Sequence, residues 1–259
     1  MTMTYLKSAV TAVALATAIL TTGAAMAEGG TPTPPKIDWS FSGPFGVYDR
    51  GATQRGFQVY KEVCSACHSM NLLHYRQLEG IGYSKDEIKA IAATVEVTDG
   101  PNDEGDMFTR PGKPADRFVA PFANSKAAAA SNNGKAPPDL TLMVKARKGG
   151  ADYVHGILTG YKDTPPAGVQ IPDGGNYNEF FPGHVIAMAP PLSDDAVEYS
   201  DGTKATLDQE ARDVATFLAW AAEPEMEARK TMGIKVLLFL LVLTGMLYAV
   251  KRQVWKDQH

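Results

Sequence analysis

"VCSACHSM", residues 63–70, holds both cysteines of a 259-residue chain, three positions apart, with a histidine directly after the second. C-x-x-C-H is the spacing of c-type haem attachment. The chemistry sets the spacing: each thiol adds to one vinyl group, and two intervening residues let both sulfurs reach one edge of one porphyrin. The adjacent imidazole then lies beneath the iron. Cys64 and Cys67 are the expected covalent anchors, His68 is the expected proximal ligand, and one motif means one haem c. Three other uses of the pair stay open on spacing alone. A thioredoxin-like pair would open a helix after a strand in an alternating sheet pattern, which this sequence lacks. A disulfide this short would restrain almost no chain. Zinc would need two further ligands, and His74, His155, His184 and His259 show no companion cysteine or tight spacing.

The surrounding sequence suits a large apolar cofactor. Glycine accounts for 24 positions and proline for 17, so long loops cost backbone entropy that short helices do not recover. "EGGTPTPPKIDWSFSGPFG" reads as irregular chain laid over the surface. Order is expected from near Thr53, where Phe57, Val59, Tyr60 and Val63 place one apolar helix face directly before the cysteines. Further helices are predicted over 85–94, after the alanine run and "NNGKAPPDL" up to the paired glycines 149–150, and over 207–222 with Thr206 as N-cap. "EVTDGPNDEGDM", residues 96–107, reads as an acidic, turn-rich passage able to steer a basic partner. The expected class is mostly α: a class I-like c-type cytochrome domain with long loops.

The two ends set the compartment. Residues 1–27 carry one charge, Lys7, then an apolar stretch and the small-x-small site "GAAMA", the pattern of a cleaved signal peptide. From Val236 to Val250, "VLLFLLVLTGMLYAV" is free of charge, and Ile234 with a snorkelling Lys235 extends it toward a bilayer crossing. The expected organisation is a signal peptide over 1–27, a periplasmic cytochrome c domain over 28–230, a transmembrane anchor over 231–252 and a cytoplasmic tail over 253–259. Lys251, Arg252 and Lys256 would lie inside, as the positive-inside rule prefers. The chain has 25 basic and 29 acidic residues, and loss of Lys7 deepens that mild acidity, which argues against nucleic-acid binding.

The sixth position of the iron decides between electron transfer and chemistry on a small molecule. Met188, in "HVIAMAPPL", is the best candidate: Pro190 and Pro191 have fixed backbone angles and can hold an extended loop against a haem face. A His/Met pair raises the potential and fills the site. His184, Met143 and Met107 remain alternatives, whereas Met70 is too close to His68 to wrap to the opposite face.

The chain resembles the cytochrome c1 family, the membrane-anchored haem subunits of ubiquinol:cytochrome c oxidoreductase. The resemblance runs through "RGFQVYKEVCSACHSM" (55–70), "DGPNDEGDMFTRPGK" (99–113), "AAAASNNGKAPPDLTLMVKARKGGADYVHGILTGY" (127–161), "FFPGHVIAMAPPL" (180–192) and "FLAWAAEPEMEARKTMG" (217–233). It implies that Cys64 and Cys67 form the thioethers, that His68 and Met188 ligate the iron, and that Arg147 pairs with a haem propionate. It implies that Asn132, Asn133, Pro137 and Pro138 line the haem through packing and backbone positioning, with Tyr60, Tyr153 and Tyr161 as possible aromatic neighbours. The implied work is a one-electron relay in a respiratory or photosynthetic complex. Cytochrome b and Rieske iron–sulfur subunits would be the neighbours, and a soluble or membrane-tethered cytochrome c the acceptor. The compact, uninserted sequence resembles bacterial forms of the family.

Overall fold

The computed structural model describes residues 32–257, so the leader expected over 1–27 lies outside the described residues. Helices α1 (Arg50–Glu62) and α2 (Lys85–Ala93) are followed by strands β1 (Glu96–Asp99) and β2 (Phe108–Pro111). Next come the short helices α3 (Ser125–Ala130), α4 (Met143–Ala146) and α5 (Ala151–Thr159), then strands β3 (Asn176–Tyr177) and β4 (Val185–Ile186). Helices α6 (Leu207–Ala222) and α7 (Met226–Val254) complete the chain. The outcome is the expected class: helix-rich, loop-heavy, little strand, and one long apolar helix at the C-terminal end.

The core is the crossing of α1 over α6. Ala211, Ala215 and Ala219 keep one side of α6 low, and a Cβ on Gly56 would lie only 1.9 Å from the Asp213 carbonyl oxygen. Glycine inside a helix costs up to about 1 kcal/mol, and here it permits backbone-to-backbone contact. Around the crossing Phe57, Tyr60, Phe118, Phe217 and Trp220 form one aromatic cluster. Each such ring removes apolar area from water, which stabilises by roughly 1.5–3 kcal/mol. Arg55 fastens the crossing with Nε 2.8 Å and Nη2 3.1 Å from the buried Asp213 carboxylate. Thr206 caps α6 through the Gln209 amide, as its sequence predicts.

Three expectations need correction. Order begins before Thr53: Asp49 caps α1 by accepting from the Ala52 amide, so the helix starts at Arg50, and Tyr48 is already buried. The acidic passage is a β-hairpin rather than turns alone. Glu96 to Asp99 pair antiparallel with Pro111 to Phe108, and Arg110 closes it by bridging Asp99 and Asp116. The paired glycines do not end the helical region, because α5 begins at Ala151 directly after Gly150, whose φ is +57°.

Helix α7 runs unbroken for 29 residues, about 43 Å at 1.5 Å per residue. Its apolar side chains from Val236 to Val242 are all exposed, and it is long and apolar enough to cross a membrane.

Candidate functional site

Helix α1 delivers the C-x-x-C-H motif. After Glu62 the chain tightens into a 3₁₀ turn over Cys64–Ala66, in which the amides of Cys67 and His68 both donate to the Cys64 carbonyl, at 3.1 and 2.9 Å. Both thiols are free, Cys64 half-buried and Cys67 exposed. Burial, and then the neighbouring Cys67, pushes the Cys64 thiol up to about 12. A redox-active pair requires the opposite shift. Among the described residues no three His, Cys, Asp or Glu side chains converge as a metal cluster would require.

His68 is oriented by one bond. Its Nδ1 lies 2.8 Å from the Pro138 carbonyl oxygen, which can only accept, so the proton sits on Nδ1. The lone pair then sits on Nε2, the arrangement of an imidazole prepared for a metal. Burial is the largest influence on this ring and lowers its pKa, which keeps it neutral. Tyr60 reaches the His68 carbonyl at 3.4 Å.

The loop that supplies Pro138 is fixed by its next residue. Asp139 accepts from the Ser69 hydroxyl at 2.9 Å and from the amides of Asn71 and Thr141 at 2.7 and 2.9 Å. Burial opposes its ionisation, but these donors outweigh it and hold the carboxyl below the usual range. Leu140 adds a backbone bond to Ser69 at 2.9 Å. A cavity of about 330 Å³ opens beside Cys67, lined by Pro137, Asp139, Ala128 and the 120–125 loop. A second, of about 200 Å³, lies against Tyr60, Tyr75 and Phe118.

Met188 is held from the other side of the sequence. Its carbonyl accepts from the Tyr161 hydroxyl at 3.0 Å and the Asn176 amide group at 3.3 Å. Two backbone positions fold its loop back: β3 pairs with β4, and Tyr161 bridges to Asn178. The alternatives have other surroundings. Met70 is fully buried in the core and Met107 is exposed, while His184 stacks on Tyr177 at 5.7 Å.

The remaining expected residues stand apart from these contacts. Asn132 donates to the Ala128 carbonyl at 2.7 Å and closes the end of α3, a backbone-positioning role. Asn133 next to it has a left-handed φ of +49°. Arg147 is exposed at the end of α4, where its guanidinium bonds the Ala146 carbonyl and, among the described residues, no carboxylate. Tyr153 is half-buried. Sequence reasoning missed Asp139 and Asn176 as organisers of the site. Asp139 stood in the open within "PPDL", whereas nothing in the sequence around Asn176 signals its partner.

The donor set fits a c-type haem: two free thiols on one turn, an imidazole with its outer nitrogen unprotonated, and a thioether on a clamped loop. Comparison with known proteins agrees. The model of the Cytochrome C1 family matches residues 39–258. Cytochrome c1 of Rhodospirillum rubrum is 50% identical over 269 aligned positions, covering 98% of both chains. The cytochrome b/c1 protein of Bradyrhizobium diazoefficiens is 48% identical over 256 positions, covering 91% of this chain and 37% of that one. The mitochondrial "cytochrome b-c1 complex catalytic subunit" of Candida albicans is 51% identical over 222 positions, covering 86% of this chain and 77% of its own. With its motif, fold and full length all in agreement, the chain belongs to the cytochrome c1 family.

Proposed function

We propose that this chain is the haem c subunit of a bacterial cytochrome b–c1 complex, relaying single electrons from the Rieske iron–sulfur subunit to a soluble or membrane-tethered cytochrome c. A bound haem c supplies the one-electron redox couple, and no substrate bond is made or broken. Cys64 and Cys67 would hold it covalently, one haem per chain. His68 Nε2 and the Met188 thioether would ligate the iron from its two sides, a pairing that raises the potential and leaves no open position. Arg147 would meet a propionate, for which a guanidinium offers paired donors. Asn132, Pro137 and Pro138 would shape the haem's surroundings, Pro138 by fixing the His68 tautomer. The observation that carries this reading is the 2.8 Å bond from His68 Nδ1 to the Pro138 carbonyl within a C-x-x-C-H turn.

The same reading gives the chain its topology. Residues 1–27 would direct export and be removed, residues 28–230 would fold in the periplasm, 231–252 would cross the inner membrane, and 253–259 would remain cytoplasmic. The length and hydropathy of α7 support the crossing, and the continuous helix supports a fixed spacing between the haem domain and its donor in the bilayer.

The test is a reduced-minus-oxidised spectrum with haem quantitation on gently solubilised complex purified through this chain. One covalent haem c accompanied by haem b is expected; haem c alone would transfer the reading to a free tethered carrier. Met188→Leu should keep the covalent haem and lower its midpoint potential substantially, by an amount set within the roughly 0.8 V that axial ligation commands. An unchanged potential would remove Met188 as a ligand.

A further inference from the structure

Phe45 is 79% exposed, more than Leu241, which at 72% is the most exposed large apolar residue of the anchor helix. Its loop is not loose chain. Ser42 donates to the Trp39 carbonyl at 2.9 Å and Val47 to the Ser40 carbonyl at 3.0 Å, closing a hairpin-like turn. A Cβ at Gly46 would lie 2.1 Å from the Ser42 carbonyl oxygen, so the turn closes as it does because that position is glycine. Trp39, Phe41 and Tyr48 stack inward, at 5.5 and 5.4 Å between successive rings. Phe45 and Val47 are turned out and exposed.

The loop is laid along α7 in a definite register. Arg50 and the Tyr48 amide both bond Glu227. The carbonyls of Gly46 and Phe41 both accept from Lys230 Nζ, at 2.9 and 2.7 Å. As the loop runs back from 50 to 46, its partners advance along the helix from 227 to 230, so the tip over 43–45 continues toward the apolar span. Ile234, one turn beyond Lys230 on the same face, is the half-covered residue of an otherwise exposed stretch from Thr231 to Val242. Lys230 precedes the start of the uncharged run at Val236 by about 9 Å of helix. The headgroup layer on each side of the hydrocarbon core is about 5–8 Å deep. The tip therefore falls at the level of the membrane interface.

We propose that the Ser40–Val47 turn is a second membrane contact, with Phe45 and Val47 inserted into the outer headgroup boundary beside the anchor. This rests on the reading of α7 as a membrane span. The loop's own chemistry fits a lipid surface: no charge between Ser40 and Val47, aromatic and apolar side chains outward. Arg229, Lys230 and Lys235 stand at the same level, where anionic headgroups collect basic side chains. Two tethers restrain tilt and rotation of the domain about the helix where one would leave both free.

The experiment uses the intact complex in nanodiscs of phosphatidylcholine and phosphatidylglycerol, with a spin label on Phe45→Cys and, separately, on Leu240→Cys, each read against the unsubstituted complex. Both labels should be relaxed more strongly by oxygen than by a water-soluble nickel reagent. If Leu240→Cys is in lipid while the nickel reagent reaches Phe45→Cys, the second contact is wrong and the anchor stands. If neither reagent reaches Phe45→Cys, a protein neighbour covers the loop and the lipid contact is likewise wrong. A Leu240→Cys label in water would overturn the anchor and this inference together. Phe45→Trp, quenched by brominated acyl chains, gives the same answer should the cysteine variant fail to assemble.

Discussion

At the α1–α6 crossing the backbones touch at Gly56, and Arg55 closes on a carboxylate buried by the helices themselves. Pro138, Arg147 and Met188, by contrast, sit on loops, the first two exposed and the third half-covered, joined by scattered single bonds. The helical half is complete as protein. The loop half has its backbone in place but few side chains to bury, which is what a chain does when a cofactor is to supply the missing apolar partner. The comparison teaches that covalent attachment at Cys64 and Cys67 serves structure as well as redox chemistry.

The largest effect should come from removing that attachment. Cys64→Ala combined with Cys67→Ala should abolish covalent haem on a denaturing gel, and limited proteolysis should then cut within 119–147 and 160–192 well before 207–222. Equal cutting everywhere would erase the distinction between the halves. Next, Arg55→Met leaves the Asp213 carboxylate buried without its partner and should cost about 3 kcal/mol of stability. The midpoint potential should hold, since the change lies in the helical half; a shifted potential would mean that the halves are coupled.

Smaller changes sharpen the comparison within the loop half. Tyr161→Phe removes one of two donors to the Met188 carbonyl, worth about 1 kcal/mol, or roughly fivefold in local opening. Hydrogen exchange around Met188 should rise by that factor while α6 is unchanged. The weakest effect is one of pH. The Arg110 guanidinium beside Asp116 holds its carboxyl at about 2, below the ordinary 3.8. A depressed carboxyl contributes stability above its unfolded value and loses it as pH falls through the folded one. The β1–β2 hairpin should therefore loosen between pH 4 and pH 2, and only slightly, because water screens so exposed a pair. Amide exchange of Val97 and Asp99 reads it.

What the sequence made legible follows the same division. The C-x-x-C-H turn, the Thr206 cap and the anchor are local patterns, written within a few residues of one another, and each stands as the sequence implies. The hairpin at 96–111 was hidden because Asp, Asn and Gly announce turns, while the ion pairs of Arg110 that close it span different strands and loops. The clamp of Tyr161 and Asn176 on a carbonyl was illegible for a sharper reason: a backbone oxygen has no residue identity to read. Gly56 looked like a flaw in an amphipathic helix until Asp213 stood against it.

The 158 positions between Arg55 and Asp213 also impose an order of events. As the chain emerges, the C-x-x-C-H segment arrives early, and the helix that will clamp α1 arrives after most of the remaining domain. Until then the two thiols stand on an unfastened strand of polypeptide, open to whatever machinery ligates the porphyrin. Closure comes afterwards, so the late helix acts as a latch that shuts on a finished attachment.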